Sequence, residues 1–206
     1  MRDLFACPCP MRALLAGLLL CSPWFGLSAS AQAQALQVEG AAFDRTFYLV
    51  GHKVWLNGAG PGTLGSDKPF VAALYLTKPA RQLSEAQGAP GPKRLQLTLK
   101  QEMDSRALGA LLSQTFRSNM AVTEQAACLS GLAKLGEMLG AKKKLAVGDR
   151  LSLDGVMGQG THVAVNGERQ LLIEGPVFFD CLLKGFLGSQ PADAPLRTAL
   201  LSALPR

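Results

Sequence analysis

Histidine is nearly absent: His52 and His162 are the only two in 206 residues, far apart in the chain. No Cys/His spacing of the kind that holds zinc exists. There is no Gly-x-Ser-x-Gly elbow either, which excludes the nucleophile strand-turn-helix of the α/β-hydrolases. Aromatics make up 6% of the chain and the acidic residues (15) are outnumbered by the basic ones (21). Yet Lys142-Lys143-Lys144 is the only basic run, with no aromatics interleaved. It reads as favourable charge past a helix end rather than a nucleic-acid surface, so no nucleic-acid partner is expected. The Gly-rich stretch Gly58 to Pro69 lacks the Gly-Lys-Ser/Thr ending of a phosphate cradle. It reads as a loop between flanking strands.

Long apolar runs are missing as well. The longest near the start, Ala13 to Leu20, falls short of the roughly 20 residues of a membrane span. It follows Arg2 and Arg12 and precedes small-x-small sequences at Ala29 to Ala35. That order is the signature of a secretory signal peptide. We expect residues 1–35 to be a cleaved leader, 36–206 to be one domain, the location to be periplasmic, and no membrane span to remain after cleavage. Removing Arg2, Arg12 and Asp3 leaves 19 basic and 14 acidic residues. Cys7, Cys9 and Cys21 lie in the leader. Cys128 and Cys181 remain, and in an oxidising compartment they can pair. Both also sit on apolar helix faces, where a buried free thiol is common.

What is present organises around Gly160 to Gly188. Thr161, Val163 and Val165 alternate with His162 and Ala164, and Asn166-Gly167 supplies a type I′ turn. Leu171 and Ile173 continue a return strand. Gly175-Pro176 ends it, and Val177, Phe178, Cys181, Leu182, Phe186 and Leu187 form a helical stripe closed by Gly188. Upstream, strands are expected at 47–50, 52–57, 70–76 and 95–99. In the last of these Leu95, Leu97 and Leu99 alternate with Gln96, Thr98 and Lys100, which leaves one polar face. Asp104 or Ser105 caps a helix ending at Asn119. Thr123 caps a second, closed by Gly140, with Ala126, Ala127, Leu129, Leu132, Leu135 and Leu139 inward. After a further strand from Arg150, and the hairpin, a terminal helix spans 196–204. Helices segregate from strands, which argues an α+β fold, an antiparallel sheet with helices on one face.

The ordered segments LNGAG (Leu56 to Gly60), ALYL (Ala73 to Leu76), GDRLSL (Gly148 to Leu153), GQGTHVAVNG (Gly158 to Gly167), FLG (Phe186 to Gly188) and Pro-x-Asp-x-x-Leu (Pro191 to Leu196) together resemble the bacterial chalcone isomerase-like family. These are secreted relatives of plant chalcone isomerase and of its fatty-acid-binding cousins. The resemblance implies an open-faced β-sandwich: a large antiparallel sheet, a helical layer, and a ligand cleft between them. Isomerase chemistry needs a cation near the phenolate and donors for the developing enolate. True isomerases carry an Arg soon after the GAG turn; here Pro61 and Gly62 follow Gly60. The expected strand Thr falls near Phe70 or Val71, and 101–120 contains no Tyr.

The resemblance therefore implies binding of a small apolar or amphiphilic, fatty-acid-like ligand without catalysis and without a cofactor. The expected lining is strands 69–76 and 93–100 with helices 105–119 and 176–187. Its candidate ligand residues are Tyr75, Lys100, Arg106, Asn119 and Phe178. Two alternatives stand beside it. One is an intramolecular lyase with a rearranged site, using Lys53, Lys100 or Arg106 as its cation. The other is an envelope interaction protein with a filled cleft and an exposed apolar patch. His162, on a strand next to a turn, reads as a surface residue.

Overall fold

The computed structural model describes residues 35–206 apart from Gly65, Lys143, Pro191 and Ala192. The leader reading for residues 1–35 thus lies, but for Ala35, outside the described residues. Seven strands form one antiparallel sheet in the order β11-β10-β9-β6-β5-β4-β3. In chain order they are β3 (Thr46–Leu49), β4 (His52–Leu64), β5 (Asp67–Leu76), β6 (Lys93–Leu99), β9 (Arg150–Val156), β10 (Gly160–Val165) and β11 (Glu168–Glu174). Two small ribbons accompany them, β1 (Leu36–Val38) with β2 (Ala41–Phe43), and β7 (Met103–Asp104) with β8 (Lys144–Leu145). The helices are α1 (Leu83–Gly88), α2 (Ser105–Asn119), α3 (Val122–Lys142), α4 (Val177–Leu187) and α5 (Ala194–Leu200).

Local chemistry accounts for the element ends. Asn166 and Gly167 take φ of 53° and 86°, the two positive angles of the tight β10–β11 turn. The Asn166 carboxamide accepts from the Arg150 N–H at 2.9 Å, which ties the turn to β9. The Asp104 carboxylate accepts from the Arg106 N–H at 2.7 Å and caps α2. Helix α3 begins one residue before Thr123, so Thr123 is not its cap; the Glu124 carboxylate instead accepts from the Ala121 N–H. Of the residues expected inward on α3, Leu135 and Leu139 are buried and Leu132 is partly buried, whereas Ala126 and Ala127 are exposed and Leu129 is 59% exposed. Cys128 and Gly131 take the inner positions because the Phe178 ring lies against Gly131, where a Cβ would collide with it.

Side-chain parity divides the core in two. Phe70, Ala72, Leu74 and Leu76 of β5, and Leu95, Leu97 and Leu99 of β6, face the helices. Val71, Ala73 and Tyr75 belong to a second cluster with Phe43, Leu49, Val54 and Leu56. The stretch expected as a loop, Gly58 to Pro69, is instead mostly strand: β4 runs to Leu64 and β5 starts at Asp67. Its glycines serve close approach. A Cβ on Gly58 would overlap the carbonyl oxygens of Ala199 and Leu200, and one on Gly62 the Phe70 ring. Helix α5 therefore docks directly on the β4 backbone. Gly58→Ala is expected to destabilise by about 2 kcal/mol, the cost of overpacking against backbone that cannot yield. Urea unfolding of the variant checks it.

Candidate functional site

The space between sheet and helices is the cleft that sequence reasoning offered for a ligand. In the described structure it is filled. Phe70, Leu74, Leu97 and Leu153 from the sheet meet Leu108, Leu112, Phe116, Phe178, Leu182 and Phe186 from the helices, all of them at most 5% exposed. A cavity of about 20 Å³ lies within this layer, bordered by Thr63, Phe70, Thr115, Phe186, Asp193 and Leu196. That is room for about one water. The Asp193 carboxylate there accepts from the Thr63 N–H and hydroxyl, both at 2.7 Å, and caps α5 through the Leu196 N–H at 2.8 Å. Just after Gly60, where an isomerase would present a cation, this chain places a hydroxyl bound to a carboxylate.

The five candidate ligand residues do not converge. Tyr75 is 1% exposed and belongs to the cluster away from the helices, edge-on to Phe47 at 4.8 Å between centroids. Burial pushes its hydroxyl above the ordinary phenol range, with Asp44 adding to the shift and Arg94 and Arg150 opposing it. Lys100 is paired with Glu39 at 3.1 Å, which also faces Lys68 at 3.9 Å. The Arg106 side chain is exposed. Asn119 is a structural pin. Its amide donates to the carbonyls of Gly185 (3.2 Å) and Gln190 (2.8 Å), and its oxygen accepts from the Gln190 N–H at 2.9 Å. A Cβ on Gly188 would strike that carboxamide. Phe178 is core, 6.1 Å from Phe116 between centroids. Of the lyase cations, Lys53 lies at the β3–β4 edge, Lys100 is occupied, and Arg106 points to solvent. Cys128 of α3 and Cys181 of α4 are joined by a disulfide, with Cα atoms 6.2 Å apart.

One end of the layer is open. A cavity of about 150 Å³ sits there, lined among others by Lys93, Gly155, Met157, Gly160, Phe179 and Asp180. Lys93 shares parity with Leu95, Leu97 and Leu99 and so points to the helix side; it pairs in register with Gly155. Burial holds its ammonium below the ordinary lysine range, with Asp180 opposing. The Phe179 ring lies where a Gly155 side chain would be. Thr161, the register partner of Gly155 on β10, is fully buried and its hydroxyl has no partner among the described residues. Sequence reasoning missed Lys93 and Thr161, although the period-two pattern of their strands was the signal that places both on the helix side.

The other sheet face carries a polar row across the register: Tyr75, Arg94, Asp154 and His162 stand side by side on β5, β6, β9 and β10. Arg94 grips Asp154 with two hydrogen bonds, of 2.6 and 2.7 Å. His162, expected at the surface, is 6% exposed. One ring nitrogen, Nε2, is 2.7 Å from the Gln159 Oε1, and Nδ1 has no partner among the described residues. Burial holds its pKa below the ordinary imidazole value; Arg169 adds to this and Asp154 opposes it. A depressed histidine gives stability that is full above the unfolded pKa of about 6.5 and is lost as pH falls through the folded one. Denaturant midpoints measured from about pH 7.5 to 5 should therefore decline more steeply for the native chain than for His162→Gln. Equal slopes would remove His162 from the account.

Among the described residues no helix is long and apolar enough to cross a membrane, and no group of three His, Cys, Asp or Glu could hold a metal ion. A family model described as chalcone isomerase-like matches residues 35–202. No curated protein matches the chain. Among solved structures, a fatty-acid binding protein of Arabidopsis thaliana is similar to it with a TM-score of 0.59 at 15% identity, over 82% of this chain and 96% of that one.

Proposed function

The chain belongs to the chalcone isomerase-like family, and from that premise we propose that it is a secreted, periplasmic protein that binds a small apolar or amphiphilic, fatty-acid-like ligand without catalysis. The observation that carries this reading is the open end of the sheet–helix layer. A half-buried cation, Lys93, stands at a cavity of about 150 Å³ whose apolar lining is Val156, Met157, Pro176 and Phe179, with Asp180 also at its wall. Such a mouth suits a carboxylate head on Lys93 and an alkyl tail that displaces Phe179 from Gly155. The fold likeness to a fatty-acid binding protein supports the same reading. Among the described residues no Lys or Arg lines the small cavity at Thr63 and Asp193, which supports a role without ring-closing chemistry. The Cys128–Cys181 disulfide supports export to an oxidising compartment.

Calorimetric titration with dodecanoate tests the proposal. Saturable binding is expected, weakened about tenfold by Lys93→Met through loss of the charge-assisted contact. No saturable binding would overturn it. A second reading, an envelope interaction protein, has its own support: the layer is filled, and Val122, Leu129 and Val177 on α3 and α4 stand 81%, 59% and 46% exposed. That reading predicts that dodecanoate does not bind and that polar substitutions at these three positions leave stability unchanged while abolishing association.

A further inference from the structure

A cavity of about 290 Å³ lies outside the sheet–helix layer. It forms at the β3–β4 edge for a simple reason of length. Strand β3 has four residues and β4 thirteen, so their pairing ends at Thr46 opposite Trp55. Past that point the C-terminal segment takes over the edge, with the Leu204 N–H donating to the Asn57 carbonyl at 3.0 Å. The junction leaves a hollow. Leu36 and Leu204 supply apolar walls, Trp55 a half-exposed ring, and Arg45, Lys53 and Arg206 three cations. None of α1 to α5 contributes to the lining.

We infer that this hollow is a binding site for a small organic anion with a flat apolar body, an aryl carboxylate in chemical class. Charge and shape carry the inference together. No Asp or Glu lines the cavity, and none of the three cations has an acidic partner within ion-pair distance among the described residues, whereas Lys68, Arg94, Lys100, Lys144 and Lys184 all do. Like charges gathered on low-dielectric walls repel one another, and an anion placed among them relieves that repulsion. Two of the cations are already held against the ring: the Arg206 guanidinium carbon lies 4.3 Å from the Trp55 centroid and the Lys53 Nζ 5.5 Å. One Arg206 nitrogen donates to the Thr77 carbonyl at 3.1 Å, which fixes the fork and leaves its other N–H groups for a carboxylate. Lys53 and Trp55 are two residues apart on one strand and so share a face. The volume, just below the usual 300–1,000 Å³ of small-molecule pockets, fits a compact aromatic acid.

Calorimetry and tryptophan fluorescence with phenylacetate, and with phenylacetamide as its neutral counterpart, test the site on the full chain. Phenylacetate is expected to bind saturably and to perturb the Trp55 emission. Phenylacetamide should bind about tenfold more weakly or worse, and Arg206→Gln and Lys53→Gln should each weaken phenylacetate about tenfold. Lys93→Met, at the other cavity, should leave phenylacetate binding unchanged, so this inference and the proposed function fail separately. Equal binding of acid and amide, loss of binding in Lys93→Met but not in Arg206→Gln, or no saturable binding would each overturn it.

Discussion

Replacing Cys128 and Cys181 together by alanine is expected to lower the unfolding free energy by about 4 kcal/mol. The bond joins α3 to α4 across a sequence separation of 53 residues. Cutting it returns to the unfolded chain the freedom of a loop of that length, which the chain-entropy relation places at about 4 kcal/mol. Both sulfurs are buried, at 2% and 4% exposure for their residues, so alanine leaves a small cavity and no unsatisfied hydroxyl. Urea unfolding with and without reductant checks it. Reductant should destabilise the native chain to the level of the double variant and leave that variant unmoved. A loss below about 1 kcal/mol would show that the pairing constrains little.

Asp154→Asn is the second large effect. The carboxylate takes both prongs of the Arg94 guanidinium, and the two side chains are 10% and 22% exposed. The same guanidinium lies 4.7 Å from the centre of the Phe47 ring, which removes still more water from it. Removing the negative charge leaves a cation half out of water with no counter-ion. That costs about 3 kcal/mol, the low end for a buried pair because neither group is sealed off. The double variant Arg94→Met/Asp154→Leu should recover most of the loss, since an apolar pair of similar volume needs no desolvation. Unfolding free energies of Arg94→Met, Asp154→Leu and the double variant close the cycle. Additive losses would mean that the pair is not coupled.

Much of this architecture was legible in the chain. The β10–β11 hairpin follows from alternation and one Asn-Gly pair, and the α2 and α4 boundaries from Asp104, Asn119 and Gly188. The strand identity of Gly58 to Leu64 was hidden. Glycine signals a turn locally, and only the return of α5 some 140 residues later makes bare backbone necessary there. Leu129 was misplaced because Gly131, not a leucine, is the residue that receives Phe178. Tyr75 was assigned to the cleft because β5 is apolar on both faces, which erases the parity that would have told one from the other. On β6 the parity is clear, and it puts Lys93 on the helix side. The edge cavity was the least legible: Trp55 and Lys53 share a strand face, but nothing local announces that Arg206 returns to stack on that ring.

The account's central claim is that a fatty-acid-like molecule is bound at the open end of the sheet–helix layer, beside Lys93. Native mass spectrometry of the protein purified after expression with its leader, followed by organic extraction, tests it most directly. The claim predicts one extractable amphiphile per chain, its occupancy reduced in Lys93→Met and unchanged in Arg206→Gln. A bare polypeptide mass with an empty extract, in a chain that also fails to take up dodecanoate, would contradict it.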